Sequence, residues 1–253
     1  MNPADEGFWA HLPFGKGVCR VALDENGLVA FDKPEGVLSH PNGPGDTKRS
    51  LVQATYHKEE ECFEWEAPGG VRQRLWLINR LDSATSGLIL AATDGALARE
   101  VRAQFQRRQV KKTYQALVFG VPRKPADSWK DVLSVRKAGG VIRTAAGSGN
   151  IPAESRMTLL RAGTGATRVS LVRLEPQTGR SHQLRVQCAK RRLPIVGDRT
   201  YGNFGANKEY ARATGEKRMF LHSLSVAFEY DYRGSRHAFS ALAPLPGEFE
   251  RFE

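Results

Sequence analysis

The sequence has few cysteines and no long apolar run. Cys19, Cys62 and Cys188 lie far apart and form no Cys-x-x-Cys pair. We therefore expect a reducing compartment and neither a disulfide framework nor a structural zinc. No apolar run approaches the ~18 residues that span a bilayer, and Asp5 and Glu6 stand where a signal peptide would be basic. These absences predict a soluble cytoplasmic protein that does not enter a membrane.

Basic residues outnumber acidic ones. There are 38 Lys and Arg residues against 27 Asp and Glu, which gives a formal net charge of +11. Such a protein attracts polyanions, because their condensed counterions are released on binding. Nucleic acid is the first partner to consider, although a generic basic enzyme would have the same composition.

The chain is expected to comprise a short leader and one domain. Residues 1–17 are rich in glycine and proline, which predicts a loosely ordered leader whose Phe8 and Trp9 pack onto the body. Residues 18–253 mix strand-like runs with a few helical patterns, which indicates one α+β domain. The leader is far below the ~50-residue lower bound of a domain.

The periodicity of apolar residues predicts the main elements. Strands are expected at 75–78, 88–92, 114–119 and 169–174, as a pair around the turn Asp24–Gly27, and as hairpins between 121 and 168 with glycine-rich breaks at 138–140 and 147–150. Helices are expected at 47–57, after Asp94 as N-cap, and at 181–190. Glu59–Glu61 is interpreted as a solvated acidic face.

One carboxylate stands in a connection between two apolar runs. Asp82 lies between the expected strands 75–78 and 88–92, after Arg80 and before a small polar turn. Reactive groups are often displayed in such connections. Spacing alone nevertheless favours a turn aspartate that accepts hydrogen bonds from nearby backbone amides.

Four stretches, in order along residues 21–246, resemble the motifs of RluA-type pseudouridine synthases, enzymes that convert uridine in RNA to its carbon-linked isomer. They are Lys33-Pro34-Glu35-Gly36, Arg80-Leu81-Asp82, Lys112-Thr113-Tyr114 and Gly179-Arg180-Ser181-His182-Gln183-Leu184-Arg185. The sequence departs from the family at Asn79, where many members have histidine, and at Gln187-Cys188, where many have His-Met. These departures leave the RNA target open.

The resemblance implies the fold. It implies the α+β pseudouridine synthase fold, with a central mixed, largely antiparallel sheet of two abutting halves, flanked by helices and loops. Some members carry an additional N-terminal S4 domain that binds RNA. The short leader predicts none here, so the catalytic domain itself is expected to hold the RNA.

The resemblance also implies the catalytic residues. Isomerising uridine breaks the bond from ribose C1′ to N1 and forms one to C5, which requires no redox chemistry or group donor, so no cofactor or metal is expected. Asp82 is implied as the catalytic carboxylate, Arg180 as its partner on a turn with Gly179 at positive φ, and Tyr114 as the residue stacked on the base. Taken alone, Arg180 could be a surface or phosphate-binding arginine, and Tyr114 a packed strand tyrosine.

Six further residues are expected to bind substrate. Arg80 is implied to fill the space left by the extruded uridine, although it could instead clamp a phosphate. Leu184 is a candidate contact to the flipped base or a core residue. Lys112, Arg107, Arg108 and Arg185 are candidate phosphate contacts, with a solvated helix face as the alternative.

The expected partner is a stem-loop or bulge in ribosomal or transfer RNA, because proteins read RNA bases where these are unpaired. We expect a monomer or weakly associating protein. One alternative is a catalytically silent RNA-binding or assembly protein with the same fold. A hydrolase built on Ser181 and His182 is disfavoured, because adjacent side chains point apart and no Gly-x-Ser-x-Gly elbow is present.

Overall fold

A computed structural model describes residues 3–138, 141–147, 149–164 and 168–252 of the protein. The chain divides into two compact units. The first comprises Met1–Val110 and Ser225–Pro244, and the second comprises Lys111–Leu224 and Leu245–Glu253. Among the described residues, no helix is long and apolar enough to cross a membrane.

Strands predominate, as the α+β prediction requires. The α-helices in the described part are α1 (Pro3–Ala10), α2 (Gly95–Gln106), α3 (Gln183–Lys190) and α4 (Phe204–Thr214). The strands are β1 (Cys19–Leu23), β2 (Leu28–Lys33), β3 (Thr55–His57), β4 (Cys62–Ala67), β5 (Val71–Leu77), β6 (Ser86–Ala92), β7 (Lys111–Phe119), β8 (Ala126–Ala138), β9 (Val141–Ala146), β10 (Ile151–Arg161), β11 (Val169–Pro176), β12 (Leu221–Tyr232) and β13 (Ser235–Leu242).

In the first unit, β3, β4, β5 and β6 are neighbours in that order. Strand β6 pairs antiparallel with β2, and β2 with β1. The predicted turn between β1 and β2 is confirmed, because Oδ1 of Asp24 accepts hydrogen bonds from the amides of Asn26 and Leu28. The part of β12 from Ser225 onward pairs antiparallel with β13.

Strand β6 is buried along its whole length and separates two apolar clusters. Leu88 and Leu90 join one cluster with α2, whereas Ile89 packs in the other with Phe63. A strand covered on both faces needs a continuous apolar run rather than alternation, as the sequence has here.

Helix α2 is confirmed with its predicted N-cap. Oδ1 of Asp94 accepts from the amides of Ala96 and Leu97 at 2.8 and 2.9 Å. The Leu97 amide, together with smaller contributions, lowers the pKa of Asp94. Leu97 and Val101 are buried in the cluster beside β6.

Two predictions near the N-terminus were wrong. Residues 3–10 form helix α1 rather than a loose leader, although Phe8 and Trp9 do pack onto the body, against Trp65 and Phe31 respectively. The predicted helix at 47–57 is a short 3-10 turn at Thr47–Arg49 followed by extended chain and β3.

Residues 47–57 do not form the predicted helix, because backbone groups of this segment form hydrogen bonds with distant segments of the chain. The Leu51 amide donates to the Leu38 carbonyl at 2.7 Å, and the Leu51 carbonyl accepts from the Gly15 amide at 2.8 Å. Leu51 and Val52 are both fully buried. Tertiary pairing of this kind overrides local helix propensity.

In the second unit, β7, β11, β10, β8 and β9 are neighbours in that order. Each of these pairs is antiparallel. The hairpins predicted between 121 and 168 are confirmed, although Gly139, Gly140 and Ser148 of the predicted breaks lie outside the described residues. One core cluster of this unit joins Leu117 of β7, Leu171 of β11, Phe220 and Phe249.

Candidate active site

Asp82 lies in the loop between β5 and β6, where the sequence predicted it. At the start of this loop, the Ile78 amide donates to the Leu90 carbonyl at 2.9 Å. The Leu90 amide donates to Oδ1 of Asn79 at 2.7 Å. Asn79, the departure from the family pattern, thus fastens the loop to β6.

Ser39 holds the residue next to Asp82. Its Oγ donates to the Leu81 carbonyl at 2.8 Å and accepts from the Leu81 amide at 2.9 Å. The Thr85 amide donates to the Asp82 carbonyl at 3.0 Å, which closes a tight turn after the carboxylate. The backbone around Asp82 is therefore fixed on both sides.

The Lys-Pro-x-Gly motif supports the same loop. Lys33 is fully buried, and its ammonium donates to the carbonyls of Pro34, Val37 and Ser83 at 2.9, 2.8 and 3.2 Å. Gly36, at a φ of +83° that favours glycine, donates its amide to the Ser83 carbonyl at 2.7 Å. The first motif thus positions the second, a role that the sequence did not indicate.

Arg80 is exposed beside an acidic residue. Its side chain is 60% exposed, and its Nη1 lies 3.6 Å from Oε1 of Glu61. Oε2 of Glu61 lies 3.3 Å from Nε of Arg102. Burial, followed by the charge of Glu61, raises the pKa of the neighbouring Tyr56 to about 12. Arg80 and Arg102 act in the opposite direction and lower it by less. The acidic face predicted at 59–61 is thus only partly solvated.

In the second unit, Tyr114 lies half-buried on β7, opposite Leu174 of β11. Lys112 lies on the same strand, and burial lowers the pKa of its ammonium to about 8. A Cβ added to Gly179 would lie 3.9 Å from Nζ of Lys112. The Lys-x-Tyr strand and the Gly-Arg turn are therefore close together in this unit.

Arg180 is exposed, and its turn differs from the prediction. Its Nε donates to the Pro152 carbonyl at 3.2 Å, and its amide to Oε1 of Gln183 at 3.0 Å. Gly179 does not take a positive φ. His182, the N-cap of α3, takes it instead, at 54°. Nδ1 of His182 lies 2.8 Å from the Tyr201 hydroxyl.

A buried polar network anchors the Gly-Arg turn to α3. Oε1 of Gln183 accepts from the Thr178 hydroxyl at 2.7 Å, and its Nε2 donates to Oγ of Ser155 at 3.0 Å. Ser155 donates to Oε1 of Gln187 at 2.7 Å, and Gln187 donates to Oδ2 of Asp131 at 2.9 Å. Gln187, the second departure from the family pattern, is thus a buried structural residue.

Leu184 and Arg185 on α3 are both 7% exposed. The Arg185 guanidinium makes a forked contact with Asp198, with Nε to Oδ2 and Nη2 to Oδ1 both at 2.8 Å. Burial alone would raise the pKa of Asp198, but Arg185 and two backbone amides outweigh it, and the pKa falls. This placement argues against the phosphate contact predicted for Arg185.

Arg107 and Arg108 follow α2 and are exposed. Nη1 of Arg107 lies 3.9 Å from Oε1 of Glu100, which is a weak surface contact. Both arginines are therefore accessible to an anion.

The sequence model of the RNA pseudouridylate synthase family matches residues 27–190. The chain belongs to this family. The predicted resemblance to RluA-type pseudouridine synthases is thereby confirmed. The protein is an RNA pseudouridine synthase, an isomerase that acts on RNA.

Similar proteins agree with this assignment. The chain is 30% identical over 229 residues to a tRNA pseudouridine synthase C of Haemophilus ducreyi, across 85% of this chain and 87% of that one. It is 29% identical over 245 residues to a ribosomal large subunit pseudouridine synthase C of Haemophilus influenzae, across 90% and 69%.

A solved structure shows the fold. The human RNA pseudouridylate synthase domain containing 1 superposes with a TM-score of 0.68 at 24% identity, covering 91% of this chain and 84% of that one. The α+β pseudouridine synthase fold predicted from the sequence is confirmed.

Proposed function

We propose that the protein converts uridine to pseudouridine in a transfer RNA or a ribosomal RNA, with Asp82 as the catalytic carboxylate. The observation that carries this proposal is the loop of Asp82, which Lys33, Ser39 and Asn79 hold through side-chain hydrogen bonds to backbone groups. Catalysis gains from a group held in one geometry before the substrate arrives.

The chemistry fits a single carboxylate. The C1′–N1 bond breaks, the base turns, a C1′–C5 bond forms, C5 loses its proton and N1 gains one. Atoms and electrons balance without an oxidant, reductant or group donor. A carboxylate supplies the nucleophile or base that such a sequence requires.

We assign supporting roles to four other residues. Tyr114 stacks on the target base, and Arg180 assists Asp82, as the family resemblance implies. Arg80 helps to extrude the uridine, because a planar cation that enters the vacated stack offsets part of the unstacking cost. Leu184 gives an apolar contact to the flipped base. The position of Leu184 on α3, directly after the Gly-Arg turn, supports this assignment.

Phosphate contacts are assigned to Lys112, Arg107 and Arg108. The exposure of the two arginines supports this assignment, since anions contact guanidinium groups without displacing a buried partner. Arg185 is instead assigned to positioning α3, through its forked contact with Asp198.

The substrate class rests on the relatives. Transfer RNA is the first candidate, because the similar protein of Haemophilus ducreyi is named for it, and ribosomal RNA is the second. A stem-loop or bulge is the expected element, since unpaired bases are the ones that proteins extrude at least cost. We further propose that the protein is a monomer. We propose that it acts in the cytoplasm, and its three free cysteines agree with a reducing compartment.

Mapping pseudouridine tests the proposal. Total RNA from a strain that lacks this gene is incubated with the protein, labelled with carbodiimide and read by primer extension. We expect new stops at discrete uridines of transfer or ribosomal RNA with the wild type and none with Asp82→Asn. Stops in neither RNA class, with RNA binding retained, would replace the proposal by a catalytically silent RNA-binding protein.

A further inference from the structure

A cavity of about 540 Å³ lies in the second unit beside α4. Its lining residues fall between 196 and 218, after the four motifs in the chain. It is lined by the segment 196–199, Gly202, residues of α4 and the segment 216–218. Asn207 fastens α4 to this wall, because its Nδ2 donates to the Asp198 carbonyl at 3.0 Å and its Oδ1 accepts from the Gly197 amide at 2.8 Å. These two hydrogen bonds fix α4 against the segment 196–199.

One face of α4 carries an aromatic ring followed by two cations. Phe204, Lys208 and Arg212 recur every fourth residue and all line the cavity. This spacing places side chains on one face of a helix, with a rise of about 6 Å between successive members. The helix start is fixed by Asn203, whose Oδ1 accepts from the Ala206 amide at 3.0 Å.

Phe204 is the most exposed large hydrophobic side chain of the described residues, at 85%, and the other exposed ones are valines and leucines. A solvent-exposed aromatic ring beside cations is the arrangement that binds single-stranded nucleic acid. Bases stack on the ring, and the cations contact phosphates. A purely apolar partner would leave the neighbouring charges desolvated and unpaired.

The lining of the cavity is positively charged. Arg199, Lys208, Arg212 and Lys217 line it and are exposed. The carboxylate of Asp198, which also lines it, is paired with Arg185. Glu216 contributes the remaining negative charge of the lining. The surface is therefore electrostatically complementary to an anionic partner.

We propose that this surface binds an unpaired nucleotide of the RNA substrate outside the reacting uridine, with a base stacked on Phe204 and phosphates on Lys208 and Arg212. The proposal rests on the proposed function, because it takes RNA as the substrate. The occupant to which the proposal commits is RNA, because four exposed cations, Arg199, Lys208, Arg212 and Lys217, line the cavity.

Binding of fluorescently labelled bulk transfer RNA to the full chain tests the proposal. Phe204→Ala should weaken binding roughly fivefold to a hundredfold, whereas Phe204→Tyr should retain it, because stacking needs only a ring face. Lys208→Gln with Arg212→Gln should weaken binding and reduce the slope of log K against log salt by about 1.4, the value for two phosphates. Leu242→Ala and Lys130→Gln, at exposed positions elsewhere, are the matched controls.

Wild-type affinity in both the Phe204→Ala and the double variant overturns the proposal. So does a result in which UMP competes at this surface while transfer RNA binding does not depend on Phe204, which would identify a free-nucleotide site. Failure of the proposed function is separate, because it would appear as absence of pseudouridine with the wild-type protein, whatever the Phe204 variants bind.

Discussion

Single residues outside the Arg-Leu-Asp motif position the loop of Asp82. Lys33 donates three hydrogen bonds from a fully buried ammonium, one of them to the Ser83 carbonyl, 50 residues away along the chain. A buried ammonium is stable only where acceptors surround it, since its desolvation is otherwise costly. The sequence showed the Lys-Pro-x-Gly motif but not its partner, because hydrogen bonds between distant loops leave no periodic signal.

Replacing Lys33 with Met should reduce both stability and turnover. The buried Val37 carbonyl loses its Lys33 donor, at a cost of about 1–3 kcal/mol for a buried group left unsatisfied, and the loop of Asp82 loses the contact from Lys33 to the Ser83 carbonyl. Urea unfolding and the rate of pseudouridine formation measure the two effects. Lys16→Met, at an exposed position, is the control, and equal effects of the two substitutions would contradict the supporting role of Lys33.

Lys112 should make RNA binding depend on pH. Burial lowers the pKa of its ammonium to about 8, so the group is about 90% charged at pH 7 and about 10% charged at pH 9. A phosphate contact by Lys112 is therefore present at pH 7 and lost as the pH rises through 8. The slope of log K against log salt should fall by about 0.6 between these pH values, which is the ~0.7 for one phosphate multiplied by the loss of about 0.8 of a charge.

Lys112→Arg should remove this pH dependence, because a guanidinium stays charged at pH 9. Affinity is measured by fluorescence anisotropy with labelled transfer RNA. A wild-type protein whose salt slope is the same at pH 7 and pH 9 would show that Lys112 makes no phosphate contact.

At the scale of elements, periodicity predicted what local sequence encodes. Strand β6 and helix α2 are found as predicted, because one is a continuous apolar run and the other has an N-cap and a four-residue repeat. The segment 47–57 was assigned to a helix and is mostly extended, since buried pairing with distant segments decides it. The sequence also gave no sign of the buried network under α3.

That network should matter for the stability of the second unit. The buried carboxylate of Asp131 binds Lys190, Arg191 and Gln187 at 2.7–2.9 Å. Asp131→Asn removes the negative charge that pairs with Lys190 and Arg191. This substitution should lower the free energy of unfolding by about 2–4 kcal/mol. Asp127→Asn on the same strand is the control, because its contact with Lys124 is exposed and 3.9 Å long.

The effect of Asp131 should disappear in acid. Burial alone would raise the pKa of Asp131, but its hydrogen bonds to Lys190, Arg191 and Gln187 outweigh burial and lower it. A lowered folded pKa means that the carboxylate stabilises the fold above its ordinary pKa near 3.9 and loses this effect as the pH falls further. Urea midpoints of wild type and Asp131→Asn should therefore differ at pH 7 and converge below pH 4. A constant difference would contradict this account.

At the scale of the whole molecule, four short motifs were enough to predict the family and the reaction. The motifs are local, so the sequence displays them directly, and the net charge of +11 agrees with an RNA partner. The contacts from Lys33 to Ser83 and from Ser39 to Leu81 were out of reach, because they join residues that are 50 and 42 positions apart along the chain. Arg185 illustrates this limit, since its motif position predicted a phosphate contact and its burial against Asp198 became visible only in three dimensions.

The most direct measurement is single-turnover formation of pseudouridine by wild type and Asp82→Asn on a transcript of the RNA identified by mapping, with RNA affinity measured in parallel. The account predicts that Asp82→Asn abolishes turnover and leaves affinity nearly unchanged, because the substitution removes a reactive carboxylate and no phosphate contact. Turnover near the wild-type rate would contradict the assignment of Asp82 as the catalytic carboxylate.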